Sequence, residues 1–270
     1  MKWSLQRAAP AIAAALALCA PRRALAEAPM RLPRLAGTVV LDGAVDEAAW
    51  RAVAPVPVVV YEPVFGGAPS QGTEIRVAHD DDNLYLAARL RDAEPAEVRA
   101  NSLYRDEYAG DDTVGLIVDP FNDDTTALWF YTMPTGVRVD GTVSSDMASG
   151  EPDWSWNGRW EAAARRTSDG WSAEMRIPFS TLGFQSETGS VRMGLSVYRW
   201  LARQSERHAW PPVPPRWPRA YAKPSKLQDV ALTGGPAPGS TPVSASSRTR
   251  GIARPTSLRC TSGCSAPARP

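Results

Sequence analysis

Histidine and cysteine are the scarce residues of this 270-residue chain, with two His and three Cys in all. Between Cys19 and Cys260 there is no cysteine, so that long stretch can form no disulfide, hold no thiolate zinc site and offer no cysteine nucleophile. The histidines, His79 and His208, stand alone in sequence, with no metal-ligand spacing and no nucleophile-elbow pattern near either. An enzyme is therefore not expected. Pairs of carboxylates will arise by chance among 29 acidic residues and carry no weight by themselves. Long helical periodicity is missing as well. The longest apolar run, Ala8 to Ala20, spans 13 residues, short of the roughly 20 a membrane helix needs.

That run follows Lys2 and Arg7 and ends in Ala24-Leu25-Ala26 before Glu27, the layout of a cleavable secretory signal over residues 1–26. Leu18 precedes Cys19 where a lipoprotein signal requires a small residue, so soluble export to the periplasm or cell surface is expected. The first 26 residues hold four of the 30 basic side chains and Gly235 to Pro270 five more, with no acid in either segment. Residues 27–234 are left with 21 basic and 29 acidic groups, net −8, which argues against a nucleic-acid partner. From Gly235 onward Phe, Trp, Tyr, Asp, Glu and Lys vanish and Pro, Ser, Arg, Ala and Gly dominate. The composition predicts a disordered tail. It is also what a GC-rich gene yields in a wrong frame, and the chain is expected to be a truncated or frame-shifted form of a longer protein.

Residues 27–234 read as one all-β domain, a two-sheet antiparallel sandwich. Ile75 and Val77 lead through Asp80-Asp81-Asp82-Asn83 into Leu84, Leu86, Ala88 and Leu90. Trp160-Glu161-Ala162 leads through Ser168-Asp169-Gly170 into Trp171, Ala173, Met175 and Ile177, with Ser172, Glu174 and Arg176 opposite. A period of two puts the first set in the core and the second in water. Further strands are expected at 53–61, 113–119, 128–133, 137–144 and 191–203, with Ser180 capping a helical turn through Leu182. Trp50, Trp160 and Trp171 read as core.

Two kinds of cluster could carry function. Asp80 to Asn83, Asp111-Asp112 and Asp119 to Asp124 group oxygen ligands in turns. Ca²⁺ is the ion such a set suits, with Asp119, Asn122 and Asp124 as candidate ligands. Asp and Asn are equally good turn formers, the preferred reading for Asp80 to Asn83. In Trp154-Ser-Trp156-Asn-Gly-Arg159-Trp160, two indoles sit in a Gly/Pro/Ser/Asp loop, and exposed indoles stack on the flat C–H faces of sugars.

Leu41-Asp-Gly-Ala-Val-Asp-Glu-Ala-Ala-Trp50, Thr73 to Leu86, Asp112-Thr-Val-Gly-Leu-Ile-Val-Asp-Pro-Phe121 and Gly170-Trp-Ser-Ala-Glu-Met-Arg-Ile-Pro-Phe179 occur in that order. Together they resemble carbohydrate-binding module family 9. The nearest likeness is to the form that precedes a β-barrel in bacterial outer-membrane proteins. Arg199 to Arg203 and Trp210 to Val213 resemble the end of that module, so the likeness spans about 38–234. It implies a non-catalytic module, acting as a monomer on a glycan or oligosaccharide and linked to polysaccharide breakdown. Trp154 and Trp156 would be the stacking platforms, with Tyr108, Arg105, Asp111 and Asp112 as polar neighbours. Two positions depart from the family: Gly115 stands where sugar-binding members tend to carry Glu, and Met133 where many relatives have Asn. A second reading accounts for both more easily, a periplasmic or surface cap on a missing barrel with no sugar ligand. An accessory part of a glycoside hydrolase is a third.

Overall fold

The structure, a computed structural model, describes residues 28–148, 150–183 and 191–232. The signal segment, the tail from Gly235 and all three cysteines lie outside the described residues. Among the described residues twelve strands, numbered along the chain, form two sheets packed face to face.

The smaller sheet runs β3 (Thr73–His79), β4 (Asn83–Arg91), β9 (Gly170–Pro178), β8 (Glu161–Thr167), all antiparallel. Both expected hairpins are here, Val77 opposite Leu86 and Thr167 opposite Gly170. The larger sheet places β1 (Met30–Leu32), β12 (Gln228–Leu232), β10 (Val191–Leu201), β5 (Thr113–Asp119), β6 (Ala127–Thr132) and β7 (Arg138–Val143) in sequence. The far half of β10 carries β11 (Glu206–Trp210), which pairs in turn with β2 (Val59–Glu62). One pair, β1 with β12, is parallel, so the sandwich is not wholly antiparallel.

Alternation fills the space between the sheets. Ile75, Val77, Leu84, Leu86, Leu90, Trp171, Met175 and Ile177 come from one side, and Val114, Leu116, Val118, Phe130, Met193, Leu195 and Val197 from the other. At one end of this core a polar knot replaces the hydrophobic packing. Arg199, fully buried on β10, donates across the sandwich to the Gly72 carbonyl (2.9 Å), Thr73 Oγ1 (2.9 Å) and the Arg91 carbonyl (2.7 Å). Beside it His208 bridges Thr73 Oγ1 (2.7 Å) and Glu206 (2.5 Å).

Several expectations need correction. The strand expected over 53–61 is confined to Val59–Glu62, because Val53 belongs to the exit of a helical turn, α1 (Ala48–Arg51), and Pro55 and Pro57 remove ladder donors from the residues between. The turn α2 (Phe179–Leu182) starts after Pro178, and Ser180 lies inside it rather than capping it. Strands β1, β11 and β12 had no clear signal, being short and beside proline-rich segments.

The largest correction concerns the polar face of β9, which is not in water. Ser172 and Glu174 are buried. The N-terminal segment lies over that face, packing Leu35, Val39, Val45, Trp50 and Val53 on Ala78, Tyr85 and Ala87. Glu174 anchors it, accepting from the Trp50 indole (3.0 Å) and the amides of Asp42 (3.3 Å) and Gly43 (3.1 Å). Ser172 Oγ donates to the Gly43 carbonyl (2.5 Å). The set that alternation sends outward is thus used to hold a third layer.

Candidate functional site

The outer face of the larger sheet is aromatic rather than polar. Residues of one parity on β5, β6, β7, β10 and β11 fall into cross-strand rows: Arg207–Trp200–Thr113, Tyr198–Gly115–Tyr131–Val139, and Ser196–Ile117–Trp129–Gly141. Two glycines shape this surface. A β-carbon on Gly115 would come within 2.6 Å of the Tyr131 Cβ and 2.4 Å of the Phe130 carbonyl oxygen. On Gly141 it would come within 2.7 Å of the Trp154 ring. Neither glycine has a positive φ, so what they supply is room, and two aromatic residues lie where side chains would otherwise stand. Gly115, a departure from the family pattern, is thus the seat of Tyr131.

Three irregular segments raise walls around this floor. The segment after β7 pairs Asp153 with Thr142 through two backbone hydrogen bonds (2.8 and 2.9 Å), which sets Trp154 against Gly141, Trp129 and Tyr131. The loop before β5 brings Tyr108 edge-on to Tyr131, with ring centroids 6.4 Å apart. The proline-rich run after β11 brings Tyr221 against Trp129, Tyr198 and Tyr61 at 5.0–6.0 Å. Between them lies an open basin of about 370 Å³, lined by seven aromatic side chains together with Thr113, Val139, Asp106, Glu151, Arg207 and Arg219.

Arg207 supplies the polar floor. Its guanidinium lies 4.6 Å from the Trp200 ring centroid, 4.7 Å from Tyr221 and 5.8 Å from Tyr198. Nε donates to Glu62 (3.1 Å), and among the described residues nothing hydrogen-bonds its two terminal nitrogens. A planar donor fork is thereby held rigid at the edge of an aromatic basin, its rotamer already fixed by the rings. Arg219 donates to Glu151 (2.6 Å) and to the Gly150 carbonyl, and Asp106 lies 3.5 Å from Arg105. Burial holds the Tyr108 hydroxyl above its ordinary value and pushes Tyr221 up to about 12, so both stay neutral donors at any ordinary pH.

Of the residues singled out in the sequence, Trp154 and Tyr108 line the basin, 37% and 50% exposed. Trp156 turns to the other side of the sheet, half-buried against Phe130 at 5.8 Å and over Gly158. Arg105 reaches Asp140 (2.6 Å) and the Gly158 carbonyl (2.9 Å), tying the Tyr108 loop to its neighbours. Asp111, fully buried, closes the base of that loop by accepting from Asn101 N and Nδ2 (both 2.8 Å) and Ser102 N (2.6 Å). Asp112 has the parity of Val114 and points between the sheets, where it accepts from Ala202 N (3.0 Å). Burial raises its carboxyl above the usual range. Arg105 and Asp111 therefore act on the basin through the loop they hold, and Asp112 belongs to the polar knot near Arg199.

Asp119 is buried, and its two oxygens accept from the amides of Phe121 (3.1 Å) and Asp124 (2.9 Å). Asn122 and Asp124 take left-handed backbone in the same turn. Met133 is fully buried in the cluster behind the basin. Arg207, Tyr131, Trp200, Arg219 and Tyr221 were not singled out from the sequence. Arg207 on β11 and Arg219 and Tyr221 after it have no local signal. For Tyr131 and Trp200 the one local signal is that β6 (Ala-Leu-Trp-Phe-Tyr-Thr) and the end of β10 (Val-Tyr-Arg-Trp-Leu) carry large side chains on both parities. Such strands cannot turn a plain polar face to water.

A sandwich with an aromatic basin on one outer face defines a binding module. The chain belongs to the carbohydrate family 9 binding domain-like family, whose model matches residues 41–234. Among solved structures it is similar to a family 9 carbohydrate-binding module from Caldicellulosiruptor kristjanssonii in complex with glucose. That match has 18% identity, 76% of this chain and 96% of that one covered, and a TM-score of 0.50. It is also similar to the module from that organism in complex with cellotriose (17% identity, 79% and 98% covered, TM-score 0.49). A structure from Bacteroides uniformis ATCC 8492 shares the fold at 15% identity, covering 76% and 98%, with a TM-score of 0.58. No curated protein matches the chain.

Proposed function

We propose that the basin binds a sugar ring of a glycan and that the module is non-catalytic. The observation that carries this is the open Arg207 fork set among seven aromatic side chains on a floor hollowed at Gly115 and Gly141. Pyranose rings offer apolar C–H faces and a rim of hydroxyls. Trp154 and Tyr108 meet the faces, and Arg207 donates to neighbouring oxygens. The charges of Asp106 and Glu151 offset those of Arg207 and Arg219, which favours an uncharged, hydroxyl-rich ligand over an ionic one. Family membership and the sugar complexes of similar modules support the same reading. In it the module is exported and serves to hold polysaccharide during its breakdown. Titration calorimetry against a panel of mono- and oligosaccharides tests the proposal. Heat is expected with at least one sugar and lost in Trp154→Ala, whereas silence across the panel at millimolar sugar overturns it.

A further inference from the structure

Two segments at the rim of the basin share one pattern. Tyr104-Arg-Asp106-Glu-Tyr108 and Trp217-Pro-Arg219-Ala-Tyr221 each set an aromatic residue two positions before a charged basin residue and four before a basin tyrosine. In both, the charged residue and the tyrosine line the basin, while the leading aromatic lies outside the lining and is exposed, Tyr104 at 73% and Trp217 at 48%.

The two segments are held by different ties, Arg105 to Asp140 and the Gly158 carbonyl, and Arg219 to Glu151 and the Gly150 carbonyl. Tyr108 leans on Tyr131 and lies next to Trp200, at the Thr113 end of β5. Tyr221 leans on Trp129, which pairs with Ile117 further along the same strand, and also meets Tyr198 and Arg207. Each leading aromatic is attached within two residues, about 7 Å of extended backbone, of the edge it flanks.

Neither is on a loose loop. The Tyr104 carbonyl accepts from Glu107 N (3.2 Å), Asp106 N donates to the Arg138 carbonyl (3.0 Å), and Arg105 between them is clamped to Asp140. The Trp217 carbonyl accepts from Ala220 N (3.2 Å), and Lys226 Nζ stands 5.4 Å from the Trp217 ring centroid. A single exposed aromatic is ordinary on any surface. Two pinned ones, repeated in the same sequence relation to one basin, stand on separate segments beside it.

We infer that Tyr104 and Trp217 are outer stacking platforms, so that the site takes an oligosaccharide laid across the basin rather than a lone sugar ring. The inference rests on the proposed sugar-binding role, and the test separates the two. Affinities are measured by calorimetry for β-1,4-linked glucose and xylose series of one to four units, on the wild type, Tyr104→Ala, Trp217→Ala and the double variant. Wild-type affinity is expected to rise about tenfold or more from one unit to four, the scale of one or two stacking contacts. Each single variant should lose part of that rise, and the double variant should lose it all while binding the single sugar as the wild type does. Tyr104→Phe and Trp217→Phe, which keep a ring, should retain most of the rise. Binding that does not depend on length, or the same length dependence in the double variant, overturns the platforms while leaving the basin intact. Silence with every sugar overturns the basin and the platforms together. The Tyr104 variants should melt with the wild type, since that side chain is largely in solvent, and those of the half-exposed Trp217 should melt within a few degrees of it.

Discussion

Both sheets carry apolar side chains on the face turned away from the core, and the chain treats the two faces differently. Over the smaller sheet it lays its own residues 35–53, pressing Trp50 and Val53 on Tyr85 and Ala87 and fastening the layer through Glu174. Over the larger sheet the described residues build walls and leave the middle open. Each face has polar groups, but on the covered face Glu174 is met by three protein donors, whereas on the open face the terminal nitrogens of Arg207 meet none among the described residues. Apolar surface is driven out of water by whatever can reach it. Where the described residues do not supply the cover, a ligand with an apolar face and a polar rim can.

The largest expected effect comes from stripping the covered face. Trp50→Ala should cost about 3–5 kcal/mol, since it removes a buried indole and leaves Glu174 short of a donor. Denaturant unfolding reads that loss, and sugar affinity of the folded fraction should be unchanged. An intermediate case tests whether the open face depends on its glycines. Gly115→Ala pushes on Tyr131 and the Phe130 carbonyl, so it should cost about 1–3 kcal/mol and at least about tenfold in sugar affinity. Unchanged binding there would mean that Tyr131 is not part of the floor the ligand uses. Trp154→Ala sharpens the contrast, with about 1 kcal/mol or less lost in stability and tenfold or more in affinity.

Smaller still is a pH effect from the knot between the sheets. Burial holds His208 below its ordinary 6.5, against the opposing pull of Glu206, so the fold keeps the ring neutral. The unfolded chain takes up the proton first. Stability from this group is therefore full above pH 6.5 and lost as pH falls through the lower folded value. Glu174, pushed up to about 7 by burial, tilts the other way, losing stability as pH rises from 4.5 toward 7. Melting curves of the wild type minus those of His208→Gln isolate the histidine. The difference should shrink below pH 6.5, and a constant one would remove His208 from the account. The smallest effect is expected at Asp119, whose oxygens already serve the amides of their own turn. A chelator should leave the melting temperature where it was, and a fall of several degrees would argue for Ca²⁺ there.

Local rules carried the fold a long way. The hairpins at Asp80–Asn83 and Ser168–Gly170 and the inward sets Leu84-Leu86-Ala88-Leu90 and Trp171-Ala173-Met175-Ile177 were legible because turn chemistry and a period of two are written in adjacent residues. Four ordered motifs pointed to the family for the same reason. Two of the basin's seven aromatic side chains could be glimpsed too, Trp154 because it stands in a polar loop where burial is hard and Tyr108 as a polar neighbour that the family likeness suggested. Trp156 looks identical in sequence and faces the other way, because what sorts the two indoles is the Thr142–Asp153 bridge and the gap at Gly141.

From the sequence alone come the all-β class, the strand faces, the absence of cysteine chemistry from the folded region and the aromatic loop. All of these depend on neighbours a few residues apart. The basin is a decision of the tertiary structure. Arg207 meets Tyr221 and Trp200, Tyr131 meets Tyr108, and Trp129 meets Trp154 only because sheet pairing and the loop ties bring those segments together. Alternation can say that Asp112 and Thr113 face opposite ways, but only the packing of the second sheet decides that Asp112 is the one shut inside and Thr113 the one left at the basin.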